Sequence, residues 1–392
     1  MRPMDYGALI NPAVAAIPPS GIRRFFDLTA TMGDVVSLTI GEPDFSTPWH
    51  IRQAAIDTLE KGKTWYTANA GQLALREAIS GYLDRRFQTH YDPASEIVVT
   101  VGGSEAIDLA LRTLVTPGDE VLIPTPSFVC YDPLTRLCGG VPVAIETREE
   151  DRFRLTAEDL RRAITPRTKL LILPFPNNPT GGVMRRSDLE EIAAVLRETN
   201  LLVLSDEIYG ELTYGEERHV SLASLPGMRE RTVLISGFSK AYAMTGWRLG
   251  YVCAPAPIIK PILKLHQYAI MCAPTMAQYA AVEAMQEGDE DIERMRAEYD
   301  SRRRLIVDGL RKMGLSCFEP EGAFYVFPCI RSTGLSSEEF CRQLLEKKHV
   351  AVVPGNAFGA SGEGFVRISY CYSVKHIREA LGRMQEFLEE LS

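Results

Sequence analysis

The run SGFSKAYAMTGWRLGY at 236–251 sets one lysine, Lys240, among the small residues Gly237, Ser239, Ala241 and Gly246. A lysine amine in such a turn has room for a planar, bulky group beside it, although alone it reads equally as a solvated loop lysine. SDEIY at 205–209 puts Asp206 and Tyr209 just past the apolar run LLVLS. A carboxylate placed there can pair with a protonated ring nitrogen, so that the ring draws electrons from a carbanion, and a phenol can hydrogen-bond a ring hydroxyl. Asp206 also fits the N-cap of a short helix, and the two roles are compatible. NNPTG at 177–181 offers the amide of Asn178 beside a ring hydroxyl, or a purely structural turn. GGSEAI at 102–107 places glycines and Ser104 at a helix N-terminus, where free N–H groups and the helix dipole favour a phosphate. Arg248, eight residues beyond Lys240, suits two-pronged phosphate contact or a structural salt bridge.

These residues need elements to hold them. The apolar runs EIVVTVG, DEVLIP, GVPVAIE, TKLLILPFP, LLVLSD, RTVLISG and RLGYVCAP alternate with helical stretches such as SEAIDLALRTLV and DLEEIAAVLRET. That rhythm predicts an α/β fold with a largely parallel sheet. Ligands of such sheets gather beyond the carboxyl ends of the strands, where Gly103, Ser104, Glu105, Asn178, Asp206 and Lys240 fall. GQLALREAISGYLDRRF reads as an amphipathic helix, Pro48 opens another that runs through Leu59, and a further one follows Pro126. Past Pro274 the texture changes. The charged stretch EGDEDIERMRAEYDSRRRLIVDGLRKM reads as one long helix or two in succession, and GAFYVFP, HVAVVPG and FVRISYC read as short strands between helices. The expected organisation is an N-terminal arm (1–45) contributing to a small domain, a large domain (46–290) and a small α+β C-terminal domain (291–392).

Composition narrows the classes. With 392 residues, 45% hydrophobic and 24% charged, the chain is an ordinary globular protein long enough for more than one domain. A net charge of -8 gives no general attraction for nucleic acid or anionic membrane. The opening MRPMDYGALINPAV lacks the apolar core of a secretory signal, and no run reaches membrane-spanning length. Eight cysteines without a CxxC pair point to reduced thiols and a cytoplasmic location. Six scattered histidines show no metal-ligand spacing, so no metal site is expected.

The run GFSKAYAMTGWRLG resembles the pyridoxal-phosphate attachment signature of class I/II aminotransferases of fold type I. IGEPDF at 40–45, YTANAG at 66–71, GGSEAI, PSFVCY at 126–131, FPNNPTG at 175–181, SDEIY and FVRIS at 365–369 agree with it in order, over nearly the whole chain. The resemblance implies a large domain with a mostly parallel seven-stranded sheet plus a smaller α+β domain, and pyridoxal 5'-phosphate as cofactor. Lys240 is then the attachment point and proton shuttle, Asp206 the partner of the pyridine nitrogen, and Tyr209 and Asn178 the holders of the 3'-oxygen. Phe128 stacks on the ring. Gly103, Ser104, Glu105, Ser239 and Arg248 surround the phosphate, and Tyr66 reaches the phosphate of the neighbouring subunit in a homodimer. Arg367 clamps the substrate α-carboxylate, helped by Gly41 and Asn178.

Two positions depart from the family pattern. Gly237 stands where many relatives place a phosphate-binding serine, with Ser236 or Ser239 as substitutes. No residue clearly binds a distal substrate carboxylate; Arg23 and Arg24 are candidates, or a solvated pair. The expected activity moves the amino group of an aromatic amino acid or aspartate to 2-oxoglutarate by a ping-pong route. A carbon–sulfur β-lyase is the nearest alternative, and a non-catalytic regulatory protein binding the same cofactor is one of another class.

Overall fold

The computed structural model describes residues 4–19 and 32–391. Arg23 and Arg24 lie outside the described residues. After a short strand β1 (Val36–Ser37), seven strands form one sheet: β2 (Ile97–Thr100), β3 (Glu120–Thr125), β4 (Val141–Glu146), β5 (Thr168–Leu173), β6 (Leu202–Asp206), β7 (Thr232–Gly237) and β8 (Gly250–Cys253). Their order is β2-β8-β7-β6-β5-β3-β4. Every pairing is parallel except those of β8, which runs antiparallel to β2 and β7. The expected mostly parallel seven-stranded sheet is therefore present.

The strands are apolar on both sides because both faces of the sheet are covered. Side chains alternate along a strand, and β5 divides accordingly. Leu170 and Ile172 pack with Val98, Val233 and the helices Gly103–Leu114 and Ala256–Ala269. Leu171 and Leu173 turn the other way, toward Val203 and the helices Ala157–Ala163 and Arg186–Arg197. At the β2 end, Ile97, Val99 and Tyr251 meet the helices Trp49–Glu60, Leu73–Phe87 and Thr275–Glu287.

The C-terminal part carries the 24-residue helix Asp289–Lys312, then β9 (Tyr325–Val326), helix Ser337–Lys348, β10 (Val350–Ala351), β11 (Val353–Pro354), β12 (Val366–Ser369) and helix Val374–Leu391. Strands β11, β12 and β9 form an antiparallel sheet. β1 pairs in parallel with β10, Val36 opposite Val350, and Val36 and Leu38 join the same core as Phe324, Phe340 and Ile368. Among the described residues no helix is long and apolar enough to cross a membrane.

One local reading changes and two become definite. The helix after Pro126 begins only at Tyr131 and ends at Leu137, because a loop at 127–130 intervenes. The shift in texture at Pro274 is not a change of layer: Thr275–Glu287 packs on the helices at 49–60 and 73–87 and belongs with the seven-stranded sheet. The charged stretch forms one helix from Asp289, with Gly288 marking the break from its predecessor.

One close approach fixes the cleft. Gly237 at the end of β7 faces Gly250 at the start of β8. A Cβ on Gly250 would lie 2.6 Å from the carbonyl carbon of Gly102 and 2.7 Å from the nitrogen of Gly103. The missing side chain lets the N-terminus of helix Gly103–Leu114 sit directly against the sheet. Gly250→Ala is expected to lower the unfolding free energy by at least about 2 kcal/mol, because backbone cannot step aside as a flexible side chain can. Gly81→Ala, in helix Leu73–Phe87 with nothing within 4 Å of the added methyl, is expected to raise it by about 0.5–1 kcal/mol. Urea unfolding of the two variants measures both signs.

Candidate active site

A cavity of about 330 Å³ opens beyond the carboxyl ends of the strands. Its walls come from the N-terminus of helix Gly103–Leu114, the loops after β3, β5, β6 and β7, residues 39–41, and Tyr325 and Arg367 from β9 and β12. Of the residues singled out in the sequence, Gly41, Gly103, Ser104, Phe128, Asn178, Asp206, Tyr209, Ser239, Lys240, Arg248 and Arg367 all line it.

Asp206 closes β6 and is buried. Its Oδ2 accepts from the Tyr131 hydroxyl at 2.8 Å and its Oδ1 from the Ile208 amide at 3.2 Å. No helix starts there, so the carboxylate caps a turn rather than a helix. Burial pushes its pKa up to about 6, against the opposing pull of these two bonds, and the neighbouring Glu207 adds to the rise. Among the described residues no lysine, arginine or histidine forms an ion pair with it. Glu207 points away, accepting from Ser205, Ser221 and His219 at 2.8–2.9 Å.

Lys240 is no solvated loop lysine. Its Nζ donates to the carbonyl of Gly41 at 2.7 Å, and the surrounding protein lowers its pKa to about 8, with Arg367 and Arg248 pushing the same way. The Tyr209 hydroxyl lies 2.8 Å from that of Tyr325, and burial holds its pKa well above the usual phenol value.

Arg367 is buried between two rings, its Cζ 4.6 Å from the Tyr325 centroid and 4.9 Å from that of Phe358. Nη1 donates to Asn178 Oδ1 at 3.0 Å and Nη2 to the carbonyl of Thr39. Among the described residues, its buried Nε has no hydrogen-bond partner. A buried guanidinium N–H without an acceptor is costly, and a carboxylate is the acceptor that fits its planar fork.

Arg248 adopts a left-handed backbone (φ 51°) and donates to the Thr245 carbonyl at 3.1 Å. It has no carboxylate partner among the described residues. Its Nη2 lies where a Cβ on Gly102 would come within 2.6 Å, and Gly102 itself has φ 81°. A guanidinium without a carboxylate partner among the described residues thus converges with the amides of the helix N-terminus, an anion-receptive corner.

Gly237 has no room for the serine of many relatives, since a Cβ there would lie 2.9 Å from Gly250 Cα. Ser236 donates to the Glu207 carbonyl at 3.3 Å, which leaves Ser239 as the nearby hydroxyl on the cavity wall. The Glu105 side chain turns away, accepting from the Val101 amide at 2.5 Å and His266 at 2.8 Å, so only its backbone N–H can serve an anion. Tyr66 is 76% exposed and lies outside its own chain's cavity, near exposed Trp65. Sequence reasoning missed Tyr131 and Tyr325. Tyr131 sits three residues past Phe128 in a segment already singled out, whereas Tyr325 carried no signal beyond its strand.

The family model described as aminotransferase class I and II matches residues 33–384. The putative aminotransferase YugH of Bacillus subtilis is 54% identical over 97% of this chain and 98% of its own. The aspartate aminotransferase of Pyrococcus abyssi is 48% identical over 95% of this chain and 97% of its own. The crystal structure of an aromatic aminotransferase from Pyrococcus horikoshii superposes with a TM-score of 0.90 at 47% identity, covering 94% of this chain and 99% of that one.

The lone carboxylate gives a pH test. Between its ordinary value of 3.8 and about 6, folded protein binds more protons at Asp206 than unfolded protein. Stability therefore falls as pH rises through that window, by up to about 3 kcal/mol, and the penalty is fully present above it. Ligand-free Asp206→Asn is expected to be more stable than the parent at pH 8, with the difference falling below about 1 kcal/mol near pH 4. Urea unfolding at both pH values checks this; a gap independent of pH would mean that the carboxylate is not under strain.

Proposed function

The chain belongs to the class I and II aminotransferases, and from that premise we propose that it binds pyridoxal 5'-phosphate on Lys240 and transfers the amino group of aspartate or an aromatic L-amino acid to 2-oxoglutarate. The observation that carries this reading is the pairing, in one cavity, of a buried carboxylate without a cation and a lysine amine of lowered proton affinity.

The residues fit the cofactor. Asp206 has no cationic partner among the described residues, and a protonated pyridine nitrogen would supply one. Arg248 and the amides of Gly103, Ser104 and Glu105 form the anion-receptive corner for its phosphate, with the hydroxyls of Ser104 and Ser239. Tyr209 and the Asn178 amide nitrogen would hold the 3'-oxygen, and Phe128 would cover the ring. When bound, pyridoxal phosphate supplies a conjugated sink for the electron pair released as the substrate Cα loses its proton.

The chain's own groups do the rest. Burial lowers the proton affinity of the Lys240 amine, to a pKa of about 8, which favours its use as nucleophile and base. With the cofactor in place, the Lys240 amine would be the group positioned to take the substrate Cα proton, a transfer that positioning makes effective. Arg367 orients the substrate by its α-carboxylate, offering the unpartnered Nε–H while Asn178 and Thr39 fix the rest of its fork. The route would be ping-pong: after the donor leaves as a 2-oxo acid, the amino group would stay with the cofactor until 2-oxoglutarate takes it up. Tyr66, exposed in one chain, completes the phosphate site of a second copy in a homodimer.

Purified protein incubated with pyridoxal phosphate, aspartate or phenylalanine, and 2-oxoglutarate is expected to form glutamate. Pyruvate and ammonia from a cystathionine-like substrate, without glutamate from either donor, would mark a β-lyase instead. Lys240→Ala is expected to lose about a hundred- to ten-thousand-fold in rate. Arg367→Ala is expected to raise KM for amino and oxo acids by about thirtyfold or more. Steady-state kinetics with unchanged saturation by either substrate would refute the clamp.

A further inference from the structure

Tyr325 touches three parts of the site at once. Its hydroxyl is 2.8 Å from that of Tyr209, and its ring lies under the Arg367 guanidinium. A Cβ on Gly41 would sit only 1.7 Å from its hydroxyl oxygen, so the glycine admits the phenol while its carbonyl receives Lys240. The two strands explain the stacking: Tyr325 on β9 pairs with Ser369 on β12, two residues beyond Arg367.

Hydrogen counting then sets a direction. Each phenol has one hydrogen, and burial keeps both protonated at neutral pH, Tyr325 with a pKa pushed up to about 12. If Tyr209 directs its hydrogen at the cofactor, the hydrogen between the two oxygens must come from Tyr325. A hydroxyl that accepts a hydrogen bond becomes a stronger donor.

We propose that Tyr325 is a positioning residue with two separable handles: its hydroxyl donates to Tyr209 and so strengthens the bond Tyr209 makes to the 3'-oxygen of the cofactor, and its ring seats Arg367. The proposal rests on the cofactor-binding reading above. A better donor at that oxygen favours its anionic form and so lowers the pH at which the lysine-bound chromophore loses its proton.

The test reconstitutes the parent, Tyr325→Phe, Tyr209→Phe and the double variant with pyridoxal phosphate and follows the visible absorption band against pH. Cooperative strengthening of about a tenth to three tenths of a charge-assisted hydrogen bond corresponds to a midpoint shift of roughly 0.1 to 0.7 pH unit. Tyr325→Phe is expected to raise the midpoint by that amount while KM for the amino donor stays within about threefold, since the ring remains. In the Tyr209→Phe background the same substitution is expected to shift nothing. Tyr325→Leu, which removes the ring as well, is expected to raise KM about tenfold or more. An unchanged midpoint in Tyr325→Phe, or an equal shift with and without Tyr209, overturns the relay. Tyr325→Leu with the parent's KM overturns the seat. A parent protein that shows no pH-dependent band overturns the cofactor reading itself, and the relay with it.

Discussion

A carboxylate buried without a cation is the constraint around which this molecule is arranged. Asp206 ends β6, the fourth strand of seven, and among the described residues receives only neutral donors, the Tyr131 hydroxyl and the Ile208 amide. Such a group resists ionisation, and Glu207 behind it makes ionisation harder. At neutral pH the fold holds an unfavourable charge, which protonation or a cation placed beside it would relieve. Under the proposed function, ligand affinity and folding stability would be linked through this one side chain.

The remaining geometry follows from how closely backbones approach around that strand. Gly237, Gly250 and Gly102 bring β7, β8 and the N-terminus of helix Gly103–Leu114 within van der Waals contact. This sets an anion-receptive corner beside the loop of Lys240. The opposite wall comes from far along the chain, where β9 and β12 carry Tyr325 and Arg367 and residues 39–41 supply two carbonyls. Gly41 joins the two halves, yielding space to a phenol from one and a carbonyl to the lysine of the other.

Much of this was legible in the residues. The alternation of apolar runs and helical stretches reads directly as a covered parallel sheet, because strands buried on both faces must be apolar throughout. Lys240, Asp206 and Asn178 stood out because turn residues and functional groups coincide at strand ends. Other features could not be read. Tyr131 and Tyr325 are ordinary aromatic residues until folding sets their hydroxyls 2.8 Å from Asp206 and Tyr209. The missing serine at Gly237 looked like a lost ligand, whereas packing against Gly250 leaves that position no room for one. The helix Thr275–Glu287 escaped notice because its alanine-rich sequence lacks a sharp apolar stripe, its buried face being alanine against neighbouring helices.

The most direct measurement is the nitrogen-15 chemical shift of isotopically labelled pyridoxal phosphate bound to the protein at pH 8. With Asp206 as the ring's anionic partner, the pyridine nitrogen remains protonated in the parent and is unprotonated in Asp206→Asn. An unprotonated nitrogen in the parent, or the same shift in both proteins, would contradict the account.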